Sequence, residues 1–150
     1  LTVGIAFVSH ELMHKALAQK FGLFAEFRAF YNMLWLALLF SFLGFIIAAP
    51  GAVMIRGSLS REKNGKISLA GPLTNIVLAF VFFIFLLFFN VSGLFLLFLS
   101  YGLTINSLLA LFNLIPFPPF DGYKVFIWNK TAYITTILFA GLLFIARFII

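Results

Sequence analysis

The sequence predicts an all-α, polytopic membrane protein: a helical bundle of about four spans with a re-entrant segment and a short β-hairpin. Two observations predict it. Of the 150 residues, 64% are hydrophobic and only 9% are charged, far from the roughly 45–50% apolar and 25% charged residues of a water-soluble domain. The apolar residues also fall into five runs separated by glycine, proline or charge, most of them near the about 20 residues with which a helix crosses a hydrocarbon core of about 30 Å. A soluble domain would need a polar skin that ten Lys and Arg and four Asp and Glu cannot supply.

The first run, Leu1 to about Phe21, holds both histidines of the chain and ends at Gly22, a predicted helix cap. It opens on Leu1 with no Met and no signal-peptide pattern, so the chain reads as trimmed at its N-terminus. The second run, Tyr31 to Ile55, is interrupted at Gly44 and at Pro50-Gly51. Residues Arg56 to Lys66 are polar, and Arg61-Glu-Lys-Asn-Gly65 has the composition of a turn. Flanked by Gly51–Ile55 and Ile67–Leu69, it predicts the hairpin. A third run extends from Gly71-Pro72 to Phe89, with Pro72 expected in the first helical turn, where its missing N–H costs little. The fourth, Leu94 to Phe112, meets Asn113-Leu-Ile-Pro-Phe-Pro-Pro-Phe-Asp-Gly122, whose three prolines forbid a continuous helix. A break at membrane depth must be buried in protein or line a wet cavity, which makes this stretch a natural place for a site. The fifth run is Thr131 to about Ala146. No repeat or linker divides the chain, so residues 1–150 are read as one domain.

The net charge of +6 is spread without a basic patch beside exposed aromatics, so it does not point to nucleic acid and reads instead as topology. If Tyr31–Ile55 crosses, Lys15, Lys20, Arg28 and Arg147 lie opposite the other six basic residues. If it enters and returns, nine of the ten share one face. The second arrangement satisfies the positive-inside rule and places Asp121 and the end of the histidine helix near the cytoplasmic face.

Residues 10–14 read His-Glu-Leu-Met-His. Positions four apart share a helix face, so His10 and His14 can direct their imidazoles at one zinc ion. Glu11, beside the first of them, can take a proton from an attacking water and return it to a leaving amine. Cysteine is absent, so oxygen and imidazole ligands remain, and the acidic residues are the candidates for the third donor that a catalytic zinc needs. Glu26 and Glu62 sit among Arg28, Arg61 and Lys63 and read as solvated, charge-balanced residues. Asp121 stands in an apolar, proline-broken stretch and calls for a cation there, supplied either by the metal or by Lys124. Two imidazoles and a carboxylate also suit iron(II), and zinc is expected from the protease pattern.

With these motifs in view, the chain resembles the site-2 protease family of intramembrane zinc metalloproteases. The likeness rests on His10-Glu-Leu-Met-His14, Gly71-Pro-Leu-Thr-Asn75, Asn113-Leu-Ile-Pro116 and Asp121-Gly122, in that order. It implies His10, His14 and Asp121 as ligands of one zinc ion and Glu11 as catalytic acid and base. It also implies a membrane-protein substrate, a site in the bilayer reached by water from the cytoplasmic face, and a strand region, mapped to Gly51–Leu69, that holds the substrate. Met13 and Tyr123 stand where members often have glycine. Asn75 is open to two readings, one contacting the substrate backbone or the oxyanion and the other bonding a neighbouring helix. Asn113 divides in the same way between substrate contact and the backbone groups freed before Pro116. The competing function is a metal-ion or proton transporter, since intramembrane His, Asp and Asn also line ion paths. Glu11 separates the two, because only hydrolysis needs a base beside the first histidine.

Overall fold

The computed structural model describes residues 2–32, 35 and 51–149. Among them are five α-helices and one two-stranded sheet: α1 (Thr2–Lys20), β1 (Phe24–Ala29), β2 (Gly51–Arg56), α2 (Arg61–Phe88), α3 (Gly93–Asn113), α4 (Asp121–Trp128) and α5 (Lys130–Ala146). Most of the second apolar run lies outside the described residues, and with it the question of whether Tyr31–Ile55 crosses or returns.

Helix α1 stops where the sequence places the stop. Gly22 has φ +74°, and its N–H bonds to the Gln19 carbonyl while that of Leu23 bonds to Ala18, satisfying the last free carbonyls of the helix. Leu23 then packs with Ala18, Ala25 and Ile67 in a small core that joins α1, the sheet and α2.

The sheet is not the expected hairpin. Strand β2 pairs antiparallel with β1, from Phe24 opposite Arg56 to Ala29 opposite Gly51, and Ile67–Leu69 is helical. The polar stretch read as a turn is the start of α2. The Ser60 side chain accepts the N–H of Lys63 at 3.2 Å, Glu62 lies in the first turn where the helix dipole favours it, and Lys66 Nζ meets Glu62 Oε1 at 2.6 Å one turn on. Gly65 serves packing and not a turn, since a Cβ there would run into the Trp128 ring. Pro72 therefore lies well inside α2 and not in its first turn.

At 28 residues, α2 is about 42 Å long at 1.5 Å per residue, longer than a hydrocarbon core of about 30 Å, so its polar first turns can extend past the apolar zone. Helices α2 and α3 are the two among the described residues long and apolar enough to cross a membrane, and α5 is apolar but shorter. Helix α1 has the length, but its histidines, glutamate and lysines make it less apolar. The bundle keeps small residues inside, with Ala6, Ala79, Ala110 and Ala140 all at 0% exposure, as close helix packing in lipid requires. Phe88, Leu94, Leu138, Leu142 and Ile149 face outward. Helices apolar on both their inner and outer faces are consistent with a membrane protein.

Candidate metal centre

Helix α1 presents His10 and His14 on its buried face, at 2% and 7% exposure. The α2 helix comes against them at Gly71, where a Cβ would lie 2.5 Å from His10 Nε2 and would also strike His14 Nε2. Asp121 arrives from the far side as the first residue of α4. Its approach depends on Gly122, where a Cβ would collide with the Leu114 backbone, so the chain after α3 folds tightly back on the end of that helix. The structure thus brings together three side chains that the sequence selected from distant segments.

Three donor atoms converge. His10 Nε2 and His14 Nε2 are 3.0 Å apart, and Asp121 Oδ2 stands 3.4 Å from the first and 2.9 Å from the second. The protons on the outer ring nitrogens are fixed by their partners. His14 Nδ1 lies 2.7 Å from the Ile67 carbonyl, which can only accept, so Nδ1 carries the proton. His10 Nδ1 lies 2.5 Å from Asn75 Oδ1, and the Asn75 amide is oriented by donation from Nδ2 to the Ala6 carbonyl at 3.0 Å, so here too Nδ1 is the donor. In neutral imidazoles both Nε2 atoms then hold bare lone pairs, facing each other and a carboxylate oxygen. Such an arrangement calls for a cation at its centre.

The size of the triangle suits zinc. Its corners lie about 1.8 Å from its centre, close to the about 2.0–2.1 Å of zinc–nitrogen and zinc–oxygen bonds, so these three donors could hold one zinc ion. Glu11 offers a rival donor, since His10, Glu11 and His14 can each place a ligand atom within 4.8 Å of the others. Asp121 is nearer to both nitrogens, and Glu11 Oε2 is engaged elsewhere, accepting the Val53 N–H at 2.9 Å. The donor set and its geometry are consistent with one zinc ion.

The two readings of Asp121 divide between its oxygens. Oδ2 faces the histidines, while Oδ1 accepts from Lys124 Nζ at 3.3 Å. Asn75 is 0% exposed and bonds to α1 through His10 and Ala6 and to α3 through Asn106, so no part of it reaches space open to a substrate. Asn113 donates to the Leu109 carbonyl at 2.9 Å and borders the cavity beside the donors. Glu26 and Glu62 pair with Arg28 and Lys66 at the surface, away from the centre.

That cavity, of about 360 Å³, has His10, Glu11, His14 and Asp121 on one wall and Gly51–Val53 of β2 on another. The Val53 N–H points at Glu11, hence away from β1, so the edge of β2 opposite β1, which carries no other strand among the described residues, faces the site. A larger groove of about 500 Å³ between α1 and α2 is lined almost wholly by apolar side chains and has no ligating group. Four contributors were not given these roles from sequence: Gly71, known only as part of the Gly-Pro motif; the Val53 N–H and the Ile67 carbonyl, which lie within the segment Gly51–Leu69 mapped as a strand region; and Asn106, which left no trace.

No family model and no solved structure matches the chain. Two curated proteins do. "Putative zinc metalloprotease MJ0611" of Methanocaldococcus jannaschii is 50% identical over 131 residues, covering 86% of this chain and 69% of its own length. "Putative zinc metalloprotease YwhC" of Bacillus subtilis is 32% identical over 143 residues, covering 83% of this chain and 65% of its own length. The chain spans about two thirds of each relative. With 50% and 32% of the aligned positions identical and a donor set suited to zinc, the chain belongs to the zinc metalloprotease family represented by these two proteins.

Proposed function

We propose that this chain is the membrane-embedded core of a zinc metalloendopeptidase that hydrolyses a peptide bond in or near the transmembrane segment of another membrane protein. The observation that carries the reading is the meeting of His10 Nε2, His14 Nε2 and Asp121 Oδ2 within 3.4 Å, with the Glu11 carboxylate on the same cavity wall. The metalloprotease names of both relatives point the same way.

His10, His14 and Asp121 hold the zinc, and the buried hydrogen bonds to Asn75 and Ile67 keep both imidazoles turned toward it. Bound there, zinc polarises the scissile carbonyl and makes water a stronger nucleophile. Glu11 removes the proton from the attacking water and delivers it to the amine that leaves. The edge of β2 opposite β1 binds an unwound stretch of substrate as an added strand, since a helical segment hides its peptide bonds from attack. Asn113, on the cavity wall, steadies that strand or the backbone before Pro116. The domain spans the bilayer several times, about four if α1 and α5 cross with α2 and α3, and the site lies nearer the cytoplasmic face. Single cysteines at Ser58 and at Lys20, labelled in sealed vesicles, test that topology: labelling from opposite sides defeats the returning second segment.

The decisive experiment is cleavage of a model transmembrane substrate in zinc-containing liposomes by the parent and by Glu11→Gln, with bound metal measured in both. Cleavage by the parent alone, with zinc retained in the variant, supports the reading. Zinc bound by a parent that cuts none of a varied set of substrates puts metal transport ahead.

A further inference from the structure

Behind the residues that border the cavity, one buried side chain of α3 is tied to the amide that supports His10. Asn106 is 1% exposed. Its Nδ2 donates to the Gly102 carbonyl at 2.8 Å, and its Oδ1 accepts from Asn75 Nδ2 at 3.1 Å. The other buried polar side chains of α3 turn inward on their own helix, Thr104 to the Ser100 carbonyl and Ser107 to that of Leu103. Asn106 alone of these three reaches a second helix.

We propose that Asn106 is a positioning residue for the metal centre, acting through Asn75 to hold His10 in the tautomer whose Nε2 carries the lone pair. The inference rests on the metal reading of the site. Its logic is the one-way character of each bond. The Gly102 carbonyl can only accept, so Asn106 turns Nδ2 toward it and leaves Oδ1 facing Asn75. Asn75 must then present Nδ2 to Asn106, which leaves its Oδ1 for His10. An oxygen there requires a proton on Nδ1 and frees Nε2. Were Asn75 flipped, its amide nitrogen would face His10, the imidazole proton would move to Nε2, and that nitrogen could not ligate. The Ala6 carbonyl supplies a second restraint on Asn75, but from α1, the helix that carries His10 itself. Asn106 adds an independent anchor, so the tautomer does not hang on the position of α1 alone.

The test uses the tautomer and zinc affinity together. The 150-residue chain has two histidines, so ¹⁵N-histidine spectra of this chain, zinc-free in detergent, hold two imidazoles, assigned with His14→Gln. The parent should show His10 with its proton on Nδ1. Asn106→Leu, close in size and without an acceptor, should populate the Nε2–H form and weaken zinc binding about 10-fold by chelator competition, the lower end of what supporting hydrogen bonds to ligands contribute. Asn106→Asp, protonated when buried, keeps an acceptor for Asn75 and a donor for Gly102 and should restore both readouts. If the leucine variant does not fold, Asn106→Ala is read in the same way. Unchanged tautomer and affinity overturn the proposal, as does weaker binding with an unchanged tautomer or no rescue by aspartate, because packing alone would give those results. A parent that binds no zinc defeats the proposed function, while the tautomer readout still judges Asn106.

Discussion

Substituting alanine for Gly71 adds one methyl group at the point where α2 meets the donor nitrogens. An ideal Cβ there lies 2.5 Å from His10 Nε2 and 2.6 Å from His10 Cε1, and it also strikes His14 Nε2. Non-bonded heavy atoms settle near 3.5 Å, so each ring, or α2 itself, must move by about 1 Å. A zinc site accepts deviations of only about 0.2 Å, and a 1 Å misplacement of reacting groups costs on the order of 100-fold. Zinc affinity and cleavage should therefore both fall by about 100-fold. Helix propensity acts in the other direction, because glycine to alanine in a helix interior gains up to about 1 kcal/mol, so a metal-free protein that unfolds later than the parent is compatible with a centre that no longer loads. Gly141→Ala is the control, since Gly141 lies within α5 and a Cβ there meets nothing within 4 Å. Chelator competition and thermal unfolding of the zinc-free proteins give the two quantities. Parent-level zinc affinity in a folded Gly71→Ala protein would refute the argument.

Asp121→Ala removes the third donor and should abolish stoichiometric zinc at micromolar metal, whereas Lys124→Ala should change affinity by no more than about fivefold, because an ion pair whose lysine is 39% exposed contributes about 1 kcal/mol or less; dialysis followed by metal analysis distinguishes them. Stripping zinc should destabilise the folded protein by about 4 kcal/mol relative to zinc at a thousandfold excess over its Kd, read as a lower thermal midpoint that returns on adding the metal back. Gly122→Ala should behave as a weaker Asp121→Ala in the same dialysis assay, since its Cβ would push the start of α4 off the Leu114 backbone.

What the sequence revealed of this site followed how local each feature is. His10, Glu11 and His14 were legible because positions one and four apart on a helix fix their own relation, with no help from the rest of the chain. Asp121 was legible by elimination: of four acidic residues, it alone lies in an apolar stretch broken by proline. The strand pairing was not legible. Gly65 resembles a turn glycine by composition, and only the Trp128 ring packed over it shows that it belongs to a helix. Phe24–Ala29 has no alternating apolar pattern to mark it as a strand, and its burial follows none. The Ile67 carbonyl and the Val53 N–H are backbone groups of a kind nearly every residue possesses, so nothing in a side-chain sequence singles them out.

The order in which the donors occur along the chain has a consequence for biogenesis. Both imidazoles belong to the first described helix, and the carboxylate that completes the set opens the fourth, with α2 and α3 between them. A nascent chain therefore carries His10 and His14 into the bilayer well before Asp121 has been translated, and in that interval the pair offers only two donors. Full coordination waits until α4 has folded back on the end of α3. Under the proposed function, uptake of the ion then marks the completion of helix assembly, and hydrolysis stays off until α4 has docked.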